Sequence, residues 1–150
     1  MKEARILVEW NDRFKLGIPL IDSQHANLIQ QTNNLYWSCL QNTELANRYF
    51  IETAREAVNY VKHHFSTEEK LMLISKFRGY TTHKKEHEAF IKEVLSMTQD
   101  FTNKKNFVPN RFVRFLQEWV LSHIAVCDKE MADYFNLILE KRRAKLAHAE

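Results

Sequence analysis

The chain has 150 residues, 45% hydrophobic, with 22 basic and 19 acidic side chains and a net charge of +3. That length suits one domain with a real core. No run approaches the ~20 apolar residues of a membrane span, and no broad basic face interleaved with aromatics marks a nucleic-acid binder. Glycine and proline number two each, which argues against an all-β architecture, whose hairpins all need turn residues.

Residues 1–17 read as an extended arm, with turn chemistry at Trp10-Asn11-Asp12 and at Gly17. Pro19 suits the first turn of a helix expected over 19–41. Its seam is Ile21, His25, Leu28, Thr32, Leu35 and Cys39, alternating steps of four and three. A second helix is expected over 44–75 with Thr43 as N-cap. Its seam is Phe50, Ala54, Ala57, Val61, His64, Glu68 and Leu71. Thr81 or Thr82 is read as the cap of a third helix over 82–102, with His83, His87, Phe90, Val94, Met97 and Phe101 inward. Residues 102–106 read as a polar loop. Pro109 opens a fourth helix over 109–145, with Phe112, Leu116, Trp119, His123 and Val126 on its first stripe and Met131, Phe135 and Ile138 on a second. The expected fold is all-α, an antiparallel up-down-up-down four-helix bundle with an N-terminal extended arm, forming one domain over 1–150.

The basic cluster Lys141, Arg142, Arg143 and Lys145 is a solvated helix end, where cations suit the macrodipole. The two cysteines, Cys39 and Cys127, have no CxxC partner and read as buried thiols. With no signal-peptide pattern, a cytoplasmic setting is expected.

Seven histidines are many for this length. His25, His64, His83, His87 and His123, together with Glu68, interrupt the apolar seams. Burying one such group alone is costly, but every helix brings an imidazole to the inner face. Bundles build metal sites from inward side chains on facing helices. Imidazole with carboxylate and no thiolate suits iron, zinc or copper. Five imidazoles exceed the needs of one tetrahedral zinc, which favours two metals. His63 points about 100° away from the His64 face, and His148 lies in the charged tail.

The runs Gly17-Ile-Pro-Leu-Ile-Asp22-Ser-Gln-His25, His64-Phe65-Ser-Thr-Glu68, His83-Lys-Lys-Glu-His87 and His123-Ile-Ala-Val-Cys-Asp128 resemble the hemerythrin family, of the single-domain bacterial type. Its pattern is a histidine on the first helix, HxxxE, HxxxH and HxxxxD. The resemblance implies two iron ions (Fe2+/Fe3+) with a bridging oxo or hydroxo. It implies that Glu68 and Asp128 bridge them, that His83, His87 and His123 complete one iron, and that His25 and His64 serve the other. With both irons six-coordinate, one position on the two-histidine iron stays vacant.

The implied function is reversible O2 binding for oxygen storage, delivery (oxygen transport) or scavenging, rather than an enzyme activity. Its pocket would be lined by Leu28, Phe65, Trp119 and Leu121. The implied partner is O2 itself, with an unidentified protein acceptor of oxygen. Alternatives are an O2-, NO- or redox-sensing signalling domain and, ranked below it, a di-iron oxidase or iron store. Asp128 poses a geometric problem, because five residues after His123 it lies about 140° round an undistorted helix. A π-type turn between Ile124 and Cys127 is therefore expected.

Overall fold

The computed structural model describes residues 5–105 and 107–149; residues 1–4 of the expected arm and Asn106 of the expected loop lie outside them. Among the described residues there are four long helical rods and no strand. The first, α1, is Pro19–Cys39. The second, α2 (43–75), joins Thr43–Tyr60, a π-helical turn Val61–Phe65, and Ser66–Ser75. The third, α3, is Tyr80–Thr102. The fourth, α4 (109–148), joins Pro109–Trp119, a π-helical segment Val120–Asp128, and Lys129–His148.

Two helix starts differ from expectation. Asn42, not Thr43, caps α2, its side-chain oxygen accepting from Leu45 N–H at 2.8 Å. Neither Thr81 nor Thr82 caps α3, which begins two residues earlier than expected, at Tyr80, with Gly79 in the cap position. The preceding turn is closed by Lys76 in the left-handed region (φ 57°) and by Phe77 N–H donating to the Met72 carbonyl at 2.9 Å. Helix-type bonding therefore resumes as soon as the chain has turned, with His83 N–H reaching the Gly79 carbonyl at 2.9 Å.

The arm is tied down at two places. Asn33 on α1 accepts from the backbone N–H of Leu7 (3.1 Å) and Val8 (2.9 Å) and donates to the Val8 carbonyl (2.8 Å). Asp22 accepts from Leu16 N–H at 2.8 Å and Gly17 N–H at 3.2 Å, where Gly17 has φ 79°. A positive φ of this kind suits glycine. Between these ties a short 3-10 turn, Asp12–Phe14, drives Phe14 fully into the core.

The core has two apolar parts. The larger gathers Leu28, Phe50, Phe65, Phe90, Phe112, Leu116 and Trp119. The smaller gathers Leu16, Ile21, Met72, Met131 and Ala132. Along α1, α2 and α4 His25, Glu68 and Asp128 fall between the two, with His64 and His123 next to Phe65 and Ile124 at the edge of the larger part. The bundle thus holds one polar storey between an apolar floor and ceiling.

The expected π turn exists but is longer, covering nine residues, and a second one interrupts α2. Bonding i→i+5 rotates everything downstream relative to an α-helix. Val126, placed inward by α-helical counting, is 60% exposed, and Asp128 is fully buried in its stead. Cys39 and Cys127 are half-buried rather than buried. Cys39 ends α1 at the edge of the bundle, and Cys127 is swung outward by the same change of register.

Replacing Asn33 by Ala removes all three of its bonds to the arm. The variant is expected to lose about 2 kcal/mol, read as a lower urea midpoint at unchanged m-value.

Candidate metal centre

Each helix delivers its polar groups at one level, and all seven predicted residues converge: His25 from α1, His64 and Glu68 from α2, His83 and His87 from α3, His123 and Asp128 from α4. None is more than 4% exposed. The two carboxylates lie between two groups of imidazoles. Glu68 Oε1 is 2.8 Å from His64 Nε2 and 3.8 Å from His25 Nε2, whereas Oε2 is 3.1 Å from His87 Nε2 and 3.3 Å from His83 Nε2. Asp128 repeats the pattern. Its Oδ2 is 3.0 Å from His25 Nε2, and its Oδ1 is 3.0 Å from His83 Nε2 and 2.9 Å from His123 Nε2.

Two overlapping groups of donor atoms result, each within 4.8 Å. One is Glu68, His83, His87, His123 and Asp128; the other is His25, His64, Glu68 and Asp128. Both share the two carboxylates, so a cation in each would be bridged twice. The atoms themselves point to cations. Glu68 Oε1, both Asp128 oxygens, His87 Nε2 and His123 Nε2 are buried without a hydrogen bond of acceptable geometry. His25 Nε2 and His64 Nε2 face each other at 2.9 Å. Buried lone pairs crowded around common points are costly unless something positive pairs with them, and neutral imidazole with carboxylate is a suitable donor set for iron.

Outer residues fix the ring orientations. The Nδ1 atoms of His87 and His123 are hydrogen-bonded to the carboxylates of Glu69 (3.1 Å) and Glu86. His64 Nδ1 meets the neutral amide oxygen of Gln24 at 2.7 Å. His25 Nδ1 is buried without a partner. Such contacts set tautomer and basicity in metal sites. Three rings are also stacked: Tyr60 on His64 (4.4 Å between centroids, 14°), Phe65 on His87 (3.8 Å, 1°) and Trp119 on His123 (3.8 Å, 11°). Trp119 Nε1–H donates to the Tyr60 hydroxyl at 3.3 Å, joining the two stacks above the site.

Leu28, Phe65 and Trp119 sit in the apolar layer next to the imidazoles. Leu121 does not: it is 42% exposed, on the outer side of α4. Its neighbours Val120 and Ile124 are fully buried and take the inner face. Ordinary helical spacing from Leu116 already selects Val120, so the placing of Leu121 in the pocket, which the resemblance implied, is corrected. Sequence reading also missed Tyr60, Gln24, Glu69 and Glu86. Polar neighbours of His25, Glu68 and His87 in the chain were the available signal, but adjacency does not say which ring each one reaches.

The charges are tightly coupled. Burial works against charged His64, but Glu68 and Asp128 outweigh it and lift the imidazole to about 9. Burial likewise opposes charged His83, and the adjoining Asp128 and Glu68 carboxylates raise it to about 9. Burial would raise the Asp128 carboxyl, yet His123, His25 and His64 hold it well below the usual carboxylate range. Burial and then Glu86 push the Cys127 thiol up to about 11, so it stays protonated beside the site.

These shifts give the metal-free protein a defined pH response. Imidazoles raised from 6.5 to about 9 stabilise the fold fully below pH 6.5, and that contribution is lost as pH rises through 9. A lowered carboxyl such as Asp128 contributes above its unfolded value and is lost in acid. The metal-free urea midpoint is therefore expected to fall between about pH 6.5 and 9, and loading Fe2+ is expected to release protons and flatten the curve.

A family model described as the hemerythrin HHE cation binding domain matches residues 16–135. A bacteriohemerythrin of Stenotrophomonas maltophilia is 31% identical over 127 residues, covering 85% of this chain and 80% of that protein. A bacteriohemerythrin of Aquifex aeolicus is 31% identical over 132 residues, covering 85% and 96%. The crystal structure of a hemerythrin point mutant superposes with a TM-score of 0.74 over 87% of this chain and 98% of that one, at 20% identity. Family model, relatives and fold agree with the spacing and convergence of the seven polar residues, and the chain belongs to the hemerythrin family.

Proposed function

We propose that the chain is a non-haem di-iron protein that binds O2 reversibly on the two-histidine side of its site. The observation that carries this reading is the unequal division of imidazoles. Three serve one donor group and two the other, while both carboxylates are shared. The two-histidine side therefore has the fewer protein donors, and a small ligand needs a free position.

His25 and His64 would hold one iron, His83, His87 and His123 the other, and Glu68 and Asp128 both. The bound pair would supply reversible electron transfer to O2. The rest falls to the chain. Leu28, Phe65, Trp119, Val120 and Ile124 form a buried apolar layer against the imidazoles. Excluding water from that layer limits the proton supply that would make the exchange irreversible. Glu86 and Glu69 orient His123 and His87, so each ring presents Nε2 inward.

Oxygen storage, delivery or scavenging fits this architecture better than the other readings. A ferritin-like oxidase draws a Glu from each of two helices and Glu-x-x-His motifs from the others, whereas the converging set here has two carboxylates. Two free cysteines agree with a reducing cytoplasm. Among the described residues no helix is long and apolar enough to cross a membrane.

The test is visible absorption of the anaerobically prepared, iron-loaded protein through cycles of oxygen addition and removal. A charge-transfer band that appears and disappears over repeated cycles is expected; a band that decays at once to the oxidised protein means a redox or enzymatic role. Glu86→Gln is expected to weaken metal affinity about 10–100-fold, measured by equilibrium dialysis, while the helical circular dichroism stays unchanged.

A further inference from the structure

The donor side chains are sealed in, none more than 4% exposed, so any ligand has to pass through the helical wall. Among the described residues, two cavities touch the imidazoles. One, of 240 Å³, lies between α3 and α4 and reaches His123 and Trp119, on the three-histidine side. The other, of 250 Å³, lies between α1 and α2. Its inner end is Leu28, Tyr60 and His64, and its mouth is Asn27, Glu56 and Asn59. Of these two, the α1–α2 cavity is the one that reaches the two-histidine side.

The mouth has a definite charge. Asn27 Nδ2–H donates to Glu56 Oε2 at 3.3 Å, which holds the carboxylate across the gap between the helices. No Lys or Arg lines the cavity, whose lining also includes the exposed imidazole of His63. Low-dielectric walls focus the field of such a charge along a cleft. A neutral diatomic molecule passes without net electrostatic cost, and an anion is repelled.

We infer that the α1–α2 cavity is the entry route to the two-histidine side, and that Glu56 at its mouth makes the route selective for small neutral molecules over small anions. This rests on the two-histidine side being the open one, as proposed above. It adds a route, a gate and a specificity-determining residue that touches no metal ligand.

The experiment follows ligand binding by stopped flow in the iron-loaded protein. The probes are thiocyanate, which remains an anion, on the oxidised form and nitric oxide, which is neutral, on the reduced form. Asn27→Trp, which fills the mouth, is expected to slow association and dissociation of both probes about tenfold with Kd nearly unchanged. Asn59→Trp repeats the obstruction from the other wall if Asn27→Trp does not fold. Glu93→Trp, at the α3–α4 cavity, is expected to leave all rates as they are. Glu56→Gln is expected to speed thiocyanate association about two- to threefold at low ionic strength, a gain that vanishes in high salt, with nitric oxide unaffected.

Unchanged rates in both α1–α2 tryptophan variants, or slowing by Glu93→Trp instead, overturn the route. Equal effects of Glu56→Gln on both probes, or none on thiocyanate, overturn the selection. If neither probe binds the unsubstituted protein, the open position itself is refuted, and the inference falls with it.

Discussion

Everything in this molecule answers to one constraint: two carboxylates and five imidazoles are buried at a single level of a bundle whose other inward positions are mostly apolar. Left to themselves these groups would be costly to hide from water. They are tolerable because opposite charges and lone pairs meet there, and because a cation can complete them. The floor of Ile21, Met72 and Met131 and the ceiling of Leu28, Phe90 and Trp119 make the site dry. The same packing makes it expensive to leave incomplete, so folding and metal binding are coupled in one layer.

The helical register is fitted to that layer, not the reverse. An α-helix brings i, i+3 and i+4 to one face, which suffices for His64 with Glu68 and for His83 with His87. It does not suffice for His123 with Asp128, and α4 is wound more widely there. The altered winding turns Val126 and Cys127 outward and Asp128 inward. The turn in α2 has a related effect: His64 and its neighbour Phe65 are both buried, one facing the carboxylates and the other stacked on His87.

The four rods and six of the converging side chains were legible in the sequence because a buried polar residue inside a regular apolar seam is easy to see; Asp128, off the seam, was reached through the family resemblance. The need for distortion near Asp128 was legible too, since simple counting failed there. The turn at Val61–Phe65 was not, because His64 and Glu68 keep ordinary i, i+4 spacing across it and leave no misfit in the pattern. Val126 is placed inward because α-helical counting runs on into a segment that does not obey it, whereas Leu121 rested on the family resemblance alone, the same counting from Leu116 giving Val120 instead. Asn42 and Tyr80 show a smaller blind spot, since adjacent residues at a helix start compete and only backbone direction decides between them. Gln24, Glu69 and Glu86 act across helices, so their targets became visible only once the helices were packed.

The outer contacts of the imidazoles have a consequence of their own. His87 and His123 lean on carboxylates, His64 on an amide, and His25 on nothing at its Nδ1 atom. A ring whose far proton is drawn toward a carboxylate pushes more electron density out through Nε2. The cradle is therefore polarised from end to end before any ligand arrives. Two chemically identical ions placed in it would not be equivalent partners: the end facing the α1–α2 side is built as the electron-poor one.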